Sequence, residues 1–125
     1  MFIRLATCVL LLGCNCGSAL SSDSVQIIKD CKLHQSKSTY TNDEIYGVIA
    51  CDRYMNGFIS GAMGSQNAKQ MSGEDQKGLI CYPNELTTGQ AIAVFIEWSE
   101  RNPKFWHRQE WENMYASQYG AFPCK

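Results

Sequence analysis

The sequence predicts an all-α fold: a small four-helix (or four to five helix) bundle-like domain stapled by two disulfide bonds. Apolar residues recur at spacings of three and four in several segments, which is the period of an amphipathic helix. No segment has the alternating pattern of a strand, and the cysteines beyond the N-terminal leader are even in number. We therefore predict one helical domain over residues 20–125, long enough to bury a hydrophobic core.

Residues 1–19 have the organisation of a secretory signal peptide. Arg4 is their only charge, the apolar run Leu5–Leu12 is too short to cross a bilayer, and small residues dominate Gly13–Ala19. We therefore predict an exported protein whose mature chain begins at Leu20. The alternative is a lipoprotein cleaved before Cys14, because the preceding Leu-Leu-Gly loosely fits a lipidation site.

The charge of the chain argues against two classes of partner. Its formal net charge is −1, and removal of Arg4 with the leader makes the mature chain slightly more acidic. Nucleic acids and anionic membranes bind clustered lysine and arginine, and the sequence has no extended basic field. We expect no nucleic-acid partner, and no membrane partner unless Cys14 is lipidated.

The mature chain retains four cysteines, Cys31, Cys51, Cys81 and Cys124. An even number of cysteines in a small exported domain is typical of disulfide bonds. Zinc is the alternative, but no two of these cysteines have the short spacing of a structural zinc site. We therefore predict two disulfides, no metal and no cofactor.

The first two helices follow from apolar periodicity and a capping signal. The first is predicted over Ser22–Leu33 by an apolar stripe of Val25, Ile28 and Cys31. The polar connector that follows ends in Thr41–Glu44, which resembles a helix cap. It predicts a second helix over Asp43–Met63, whose apolar face comprises Val48, Cys51, Met55, Phe58 and Ala62, flanked by Tyr54 and Ile59.

Glycines accumulate in the second predicted helix. Each costs about 1 kcal/mol relative to alanine in a helix interior. Gly57 and Gly61 lie one turn apart, which leaves a groove in which another backbone can lie. We therefore predict that a neighbouring element packs closely against them.

The segment Gly64–Gly78 has almost no apolar residues and contains two turn signals. It is predicted to be a long surface loop, and loops of this length are often functional. We expect the loop to bind a partner protein through its polar side chains. The candidates are Gln66, Asn67, Lys69, Gln70, Glu74, Asp75 and Lys77.

A third helix is predicted after a cap at Thr87 or Thr88. Its wide apolar face indicates a central position in the domain and comprises Ala91, Ile92, Val94, Phe95, Ile96 and Trp98. Asn102 and Pro103 end it and start the next, so that Phe105–Tyr119 forms the last helix. The short connection predicts that these two helices are antiparallel.

The antiparallel pair has a consequence for the disulfides. The start of the third helix and the end of the fourth meet at one end of the bundle, which favours Cys81 pairing with Cys124 and leaves Cys31 for Cys51. Four cysteines admit three pairings, and the sequence alone does not choose among them.

The sequence contains no catalytic constellation. His34 and His107 have no metal-ligand partner at helical spacing, and a disulfide-bonded thiol is no nucleophile. The carboxylate pairs are predicted to be solvated: Asp43–Glu44, Glu74–Asp75, Glu97–Glu100 and Glu110–Glu112. The aromatic group of Trp98, Trp106, Trp111 and Tyr115 is compatible with either a core or an interface.

Four motifs together resemble one protein family. They are Cys51–Gly61 (CDRYMNGFISG), Ile80–Gln90 (ICYPNELTTGQ), Arg101–His107 (RNPKFWH) and Phe122–Cys124 (FPC). In order and spacing they are similar to the Rap/Tai family of immunity proteins, which accompany peptidoglycan amidase toxins of the bacterial type VI secretion system. The sequence departs from the family pattern at Arg53, commonly glycine, and at Ser117–Gln118, where an apolar Ala-Leu pair is expected.

The resemblance implies an all-helical periplasmic protein, usually a homodimer, that binds a secreted peptidoglycan amidase toxin and blocks its Cys/His active-site cleft. Such a protein is an inhibitor and not an enzyme. The alternative function is a periplasmic helical stress chaperone, or holdase, whose exposed apolar surface binds unfolded clients. A neighbouring gene that encodes an amidase would favour the immunity function.

Overall fold

The computed structural model describes residues 24–36 and 39–125. Four α-helices occur in this part of the chain, α1 (Ser24–Ser36), α2 (Asn42–Ser72), α3 (Thr88–Arg101) and α4 (Glu110–Ala121), with a 3-10 turn at Pro103–Phe105. Ile80 and Pro123 form an isolated antiparallel bridge. The predicted all-α fold is therefore confirmed. The predicted leader, the alternative lipidation site at Cys14, the mature start at Leu20 and the first residues of the first predicted helix lie outside the described residues.

The long helix α2 begins at the predicted cap. The Oγ1 atom of Thr41 accepts a hydrogen bond from the Glu44 backbone N–H at 3.3 Å, and the Glu44 carboxylate accepts one from the Thr41 N–H at 3.0 Å. This reciprocal arrangement is a capping box. The helix ends at Gly73, whose φ of 71° lies in the left-handed region that favours glycine at a helix C-terminus.

The predicted end of this helix at Met63 is wrong, because α2 continues to Ser72. The predicted loop Gly64–Gly78 is therefore helical over most of its length and irregular only after Ser72. Residues 66–71 (Gln-Asn-Ala-Lys-Gln-Met) are mostly good helix formers, and a solvated helix needs no apolar face. The scarcity of apolar side chains in this segment therefore indicates that it is exposed to solvent, and does not indicate that it is a loop.

Helix α3 lies at the centre of the domain, as predicted. Its buried side chains Ala91, Ile92, Phe95 and Ile96 pack in one core. That core also takes side chains from every other helix, namely Ile27, Ile28 and Cys31 of α1, Cys51 and Met55 of α2, and Met114 of α4. The predicted inclusion of Val25 in the apolar stripe of the first helix is wrong, since this side chain is exposed.

Both disulfides form with the favoured pairing. Cys31–Cys51 joins α1 to α2 inside the core, and Cys81–Cys124 joins the segment before α3 to the C-terminal tail. The tail also pairs with that segment through its backbone: the Cys81 N–H donates to the Phe122 carbonyl at 2.8 Å, and the Cys124 N–H donates to the Leu79 carbonyl at 3.0 Å. The end of α4 is therefore anchored beside the start of α3.

The last helix begins later than predicted. Phe105 ends the 3-10 turn, Trp106–Arg108 form a turn and a bend, and α4 runs from Glu110 to Ala121. Gln109 has a non-helical ψ of 144°, and the Glu112 carboxylate accepts its backbone N–H at 3.1 Å, which caps the helix at this point. The sequence predicts His107 inside the last helix. The structure places it in the turn before α4.

Candidate functional site

The second half of α2 and the turn that follows it form an extended exposed surface. We call residues 61–78 the arm; they comprise the end of α2 and this return turn. Helix α2 has 31 residues and α3 has 14, which correspond to lengths of roughly 46 and 21 Å at 1.5 Å per residue. The last fully buried residue of α2 is Met55. From Gly61 to Gly78 every side chain is exposed or half-buried, and Met71 is 90% exposed.

The candidate partner-binding residues all lie on the arm. Gln66, Asn67, Lys69 and Gln70 occupy the last two turns of α2, and Glu74, Asp75 and Lys77 follow in the return turn. The two parts are tied together: the Lys69 Nζ donates to the Asp75 carbonyl at 3.3 Å, and the Glu74 N–H donates to the Lys69 carbonyl at 3.0 Å. The seven residues therefore share one ordered surface, although not as the loop that the sequence predicted. Their role in binding a partner remains a prediction.

An open groove of about 350 Å³ runs beside the base of the arm. Its lining is mainly apolar and comprises Gly57, Phe58, Gly61, Ala62, Ser65, Leu79, Ile80 and Tyr115. The Tyr115 hydroxyl donates to the Gly78 carbonyl at 2.6 Å, and its ring stacks on Tyr119 at 5.5 Å. This wall of the groove is therefore held in place, and the groove can accept an apolar side chain from a partner.

The predicted close packing against Gly57 and Gly61 is wrong. A Cβ atom built at either position meets no atom within 4 Å. Close approach occurs instead at Gly47, where a Cβ would lie 2.9 Å from the Asp30 carboxylate and 3.0 Å from a Leu33 methyl. The close approach therefore lies where α1 crosses α2, against the ends of two side chains, whereas Gly57 and Gly61 border the open groove.

We expect Gly57→Ala and Gly61→Ala each to raise the free energy of unfolding by about 1 kcal/mol, because alanine favours the helix and no neighbour obstructs the new methyl group. Gly47→Ala is the matched control and should gain less, because its Cβ requires the ends of the Asp30 and Leu33 side chains to shift. Urea denaturation followed by circular dichroism measures all three. A destabilised Gly61→Ala variant would contradict the open groove.

The structure shows which of the four aromatic residues Trp98, Trp106, Trp111 and Tyr115 are packed and which are exposed. Trp106 packs against the core, with its Nε1 donating to the Ser99 carbonyl at 2.8 Å. Trp98 is half-buried and stacks on Phe105 at 6.0 Å. Trp111 is 55% exposed and Tyr115 is 38% exposed. Only Trp111 and Tyr115 of these four are therefore candidates for contact with a partner. This distinction depends on the relative placement of α3 and α4.

The candidate catalytic groups do not converge. His34 pairs with Asp52 at 3.3 Å across α1 and α2, and His107 is exposed. Burial, and secondarily the charge of Glu110, raises the pKa of Tyr54 to about 12, and burial raises the pKa of Tyr82 above its ordinary value. Over residues 24–36 and 39–125, no group of three or more His, Cys, Asp or Glu side chains is arranged to hold a metal ion.

One comparison with known proteins gave a match, and it covers the helical domain. A family model described as Rap1a immunity proteins matches residues 23–124, a range that includes all four described helices and both disulfides. Comparison with curated proteins gave no match, and comparison with solved structures gave none. Among the described helices, none is both long and apolar enough to span a bilayer.

Proposed function

The chain belongs to the Rap1a immunity protein family, and from this premise we propose that it binds and inhibits a peptidoglycan amidase effector in the periplasm. Membership of the family makes it a type VI secretion immunity protein. Inhibition of an amidase would protect the cell wall against attack by the cell itself or by sister cells. The observation that carries the proposal is the family match over the whole helical domain.

We place the effector-binding surface on the arm and the adjoining groove. The arm carries carboxamides on Gln66, Asn67 and Gln70, which both donate and accept hydrogen bonds, and the groove offers an apolar recess beside them. Polar contacts around an apolar anchor are the usual composition of a specific protein interface. A projecting helix and turn can also enter a cleft, and occlusion of an active site requires no chemistry from the inhibitor.

Export and dimer formation are parts of the same proposal. We expect the N-terminal mass of the exported protein to correspond to a start at Leu20, whereas a lipid-modified Cys14 would indicate a membrane anchor. Light scattering of the purified protein tests the expected homodimer. Neither result bears on whether the effector is bound.

Co-expression tests the inhibitory function. A peptidoglycan amidase effector from the same genome is directed to the periplasm, alone and together with this protein, and cell lysis is followed by turbidity. We expect lysis with the effector alone and full growth when both proteins are present. Lysis that persists while this protein accumulates normally would refute inhibition, and inhibition of an effector that does not cleave amide bonds of peptidoglycan would refute the amidase assignment.

A second candidate function is a holdase. The observation in its favour is the number of large apolar side chains exposed on α2, namely Ile45, Tyr46, Ile49, Met63 and Met71. A holdase would suppress the aggregation of an unrelated reduced protein at near-stoichiometric ratios, whereas a dedicated immunity protein would not. Light scattering during reduction of insulin distinguishes the two.

A further inference from the structure

A compact group of cations lies between α3 and α4. The segment Arg101–Arg108 contains Arg101, Lys104, His107 and Arg108 and no acidic residue. Lys104, His107 and Arg108 are exposed. We call these three residues, together with the Phe105 ring among them, the basic corner.

Two of the cations are positioned by the same aromatic ring. The Arg108 guanidinium carbon lies 4.0 Å from the centre of the Phe105 ring, and the Lys104 Nζ lies 4.9 Å from it. The Phe105 ring in turn stacks on Trp98 with an angle of 17° between their planes. An exposed cation–π contact contributes about 0.5–1 kcal/mol, which favours one arrangement of both charges.

Buried hydrogen bonds hold the turn that carries the corner. The Arg108 carbonyl accepts from both the backbone N–H and the hydroxyl of Ser24, each at 2.9 Å, and the Phe105 carbonyl accepts from the Asn113 Nδ2 at 2.7 Å. The same Nδ2 donates to the Ser24 hydroxyl at 2.8 Å. Ser24 and Asn113 are buried. A turn fixed in this way loses little further conformational entropy when a ligand binds.

The charges of the corner are not neutralised within the described part of the chain. The nearby Glu97 pairs with Arg101 at 2.6 Å, and Glu100 pairs with Lys32 at 3.1 Å. Among residues 24–36 and 39–125, neither Lys104 nor Arg108 has a carboxylate within salt-bridge distance. No carboxylate in this part of the chain competes with an external anion for these two side chains.

The size of the corner selects the class of anion. Membrane-binding clusters use about four to eight Lys and Arg residues, and proteins that contact six to ten phosphates of a duplex need a comparable number. The corner has two cations that pair with no carboxylate among the described residues, and one histidine, which suits one or two carboxylates. An arginine stacked on a ring keeps its N–H edge free for a bidentate pair with a carboxylate.

We propose that the basic corner binds a carboxylate-rich segment of a partner protein, through a surface distinct from the arm. Arg108 makes the bidentate contact, Lys104 binds the neighbouring carboxylate, and Trp98 and Phe105 form the apolar base. The proposal does not depend on the effector, since it shares no residue with the surface proposed above.

The test uses the full mature protein and a blocked peptide of alternating aspartate and glycine, with the matching asparagine peptide as its neutral counterpart. At low ionic strength the acidic peptide should shift the amide resonances of residues 101–108 and the Trp98 indole signal. Arg108→Gln should weaken binding about tenfold, which is about 1.4 kcal/mol. Lys29→Gln, an exposed lysine on α1, is the matched control and should leave the affinity unchanged.

Three results would overturn the proposal: equal binding of the asparagine peptide, equal weakening by Lys29→Gln, or resonance shifts that fall outside the corner. Anionic phospholipid vesicles provide the remaining comparison. Vesicle binding that Arg108→Gln abolishes, without peptide binding, would identify a lipid site instead. The co-expression assay is scored separately, so failure here leaves the immunity function standing.

Discussion

Replacing residues 66–77 with a short Gly/Ser linker should abolish protection against the effector while the helical domain remains folded. The replaced residues contribute no side chain to the buried core, so the melting temperature should change little. Ser65 and Leu79 both line the groove, which places the two ends of the deletion near enough for a few linker residues. The effector would lose the projecting part of its proposed binding surface, and we expect its affinity to fall at least a hundredfold, about 2.7 kcal/mol.

The matched control for the arm is a set of substitutions on another exposed surface of the same domain. Lys29→Gln and Gln26→Ala lie on α1, where both side chains are exposed, and should leave affinity and protection unchanged. Calorimetric titration measures the affinity, and periplasmic co-expression measures protection. Unchanged affinity in the linker variant, with a normal circular dichroism spectrum, would move the interface away from the arm without refuting the immunity function.

Replacing Cys31 and Cys51 together with alanine should lower the free energy of unfolding by about 4–5 kcal/mol. The two cysteines are separated by 20 residues. Loss of their cross-link raises the conformational entropy of the unfolded chain, which lowers the free energy of unfolding by about 3 kcal/mol. Both side chains are fully buried in the core, so truncation also leaves a cavity, which accounts for the remainder. Urea denaturation of the oxidised parent and of the double variant measures the difference.

The other disulfide is the internal comparison. Cys81–Cys124 closes a longer segment, with a separation of 43 residues, and chain entropy alone assigns it the larger effect, about 4 kcal/mol. Its two cysteines are only half-buried, so their truncation leaves little cavity. We therefore expect Cys81→Ala with Cys124→Ala to be no more destabilising than the core pair. A clearly larger loss from the tail pair would show that loop length, and not core packing, ranks the two disulfides.

The differences between prediction and structure have local causes. The end of α2 was misplaced because Gly64–Ser72 contains little apolar surface, and an exposed helix and a loop share that property. The stop signal in the sequence was Gly73, whose left-handed conformation ends the helix. The late start of α4 coincides with the capping box at Gln109, and the turn before it is held by Ser24, which is distant in sequence and donates to the Arg108 carbonyl.

The departure from the family pattern at Ser117–Gln118 shows a similar dependence on distant residues. Gln118 is fully buried, a position where an unpaired amide would be costly. Its Nε2 donates to the Ala91 carbonyl at 2.9 Å, and its Oε1 accepts from the Tyr82 hydroxyl at 3.2 Å. The polar substitution is therefore accommodated by residues that only the fold places beside it.

The sequence by itself determined the helical class, the central place of α3, the cap of α2 and which four cysteines form the two disulfides. Periodicity and capping are local properties, and an antiparallel connection favoured Cys81 with Cys124, a pairing that the structure then settled. Only the tertiary structure decided that Gly57 and Gly61 face an open groove, that Trp111 and Tyr115 are exposed while Trp106 is packed, and that Lys104 and Arg108 share one ring. The groove and the exposure of the aromatic residues depend on the distance between separate elements, and the shared ring depends on a turn that Ser24 and Asn113 hold from other parts of the chain. The pattern within one segment carries no information about what lies opposite it.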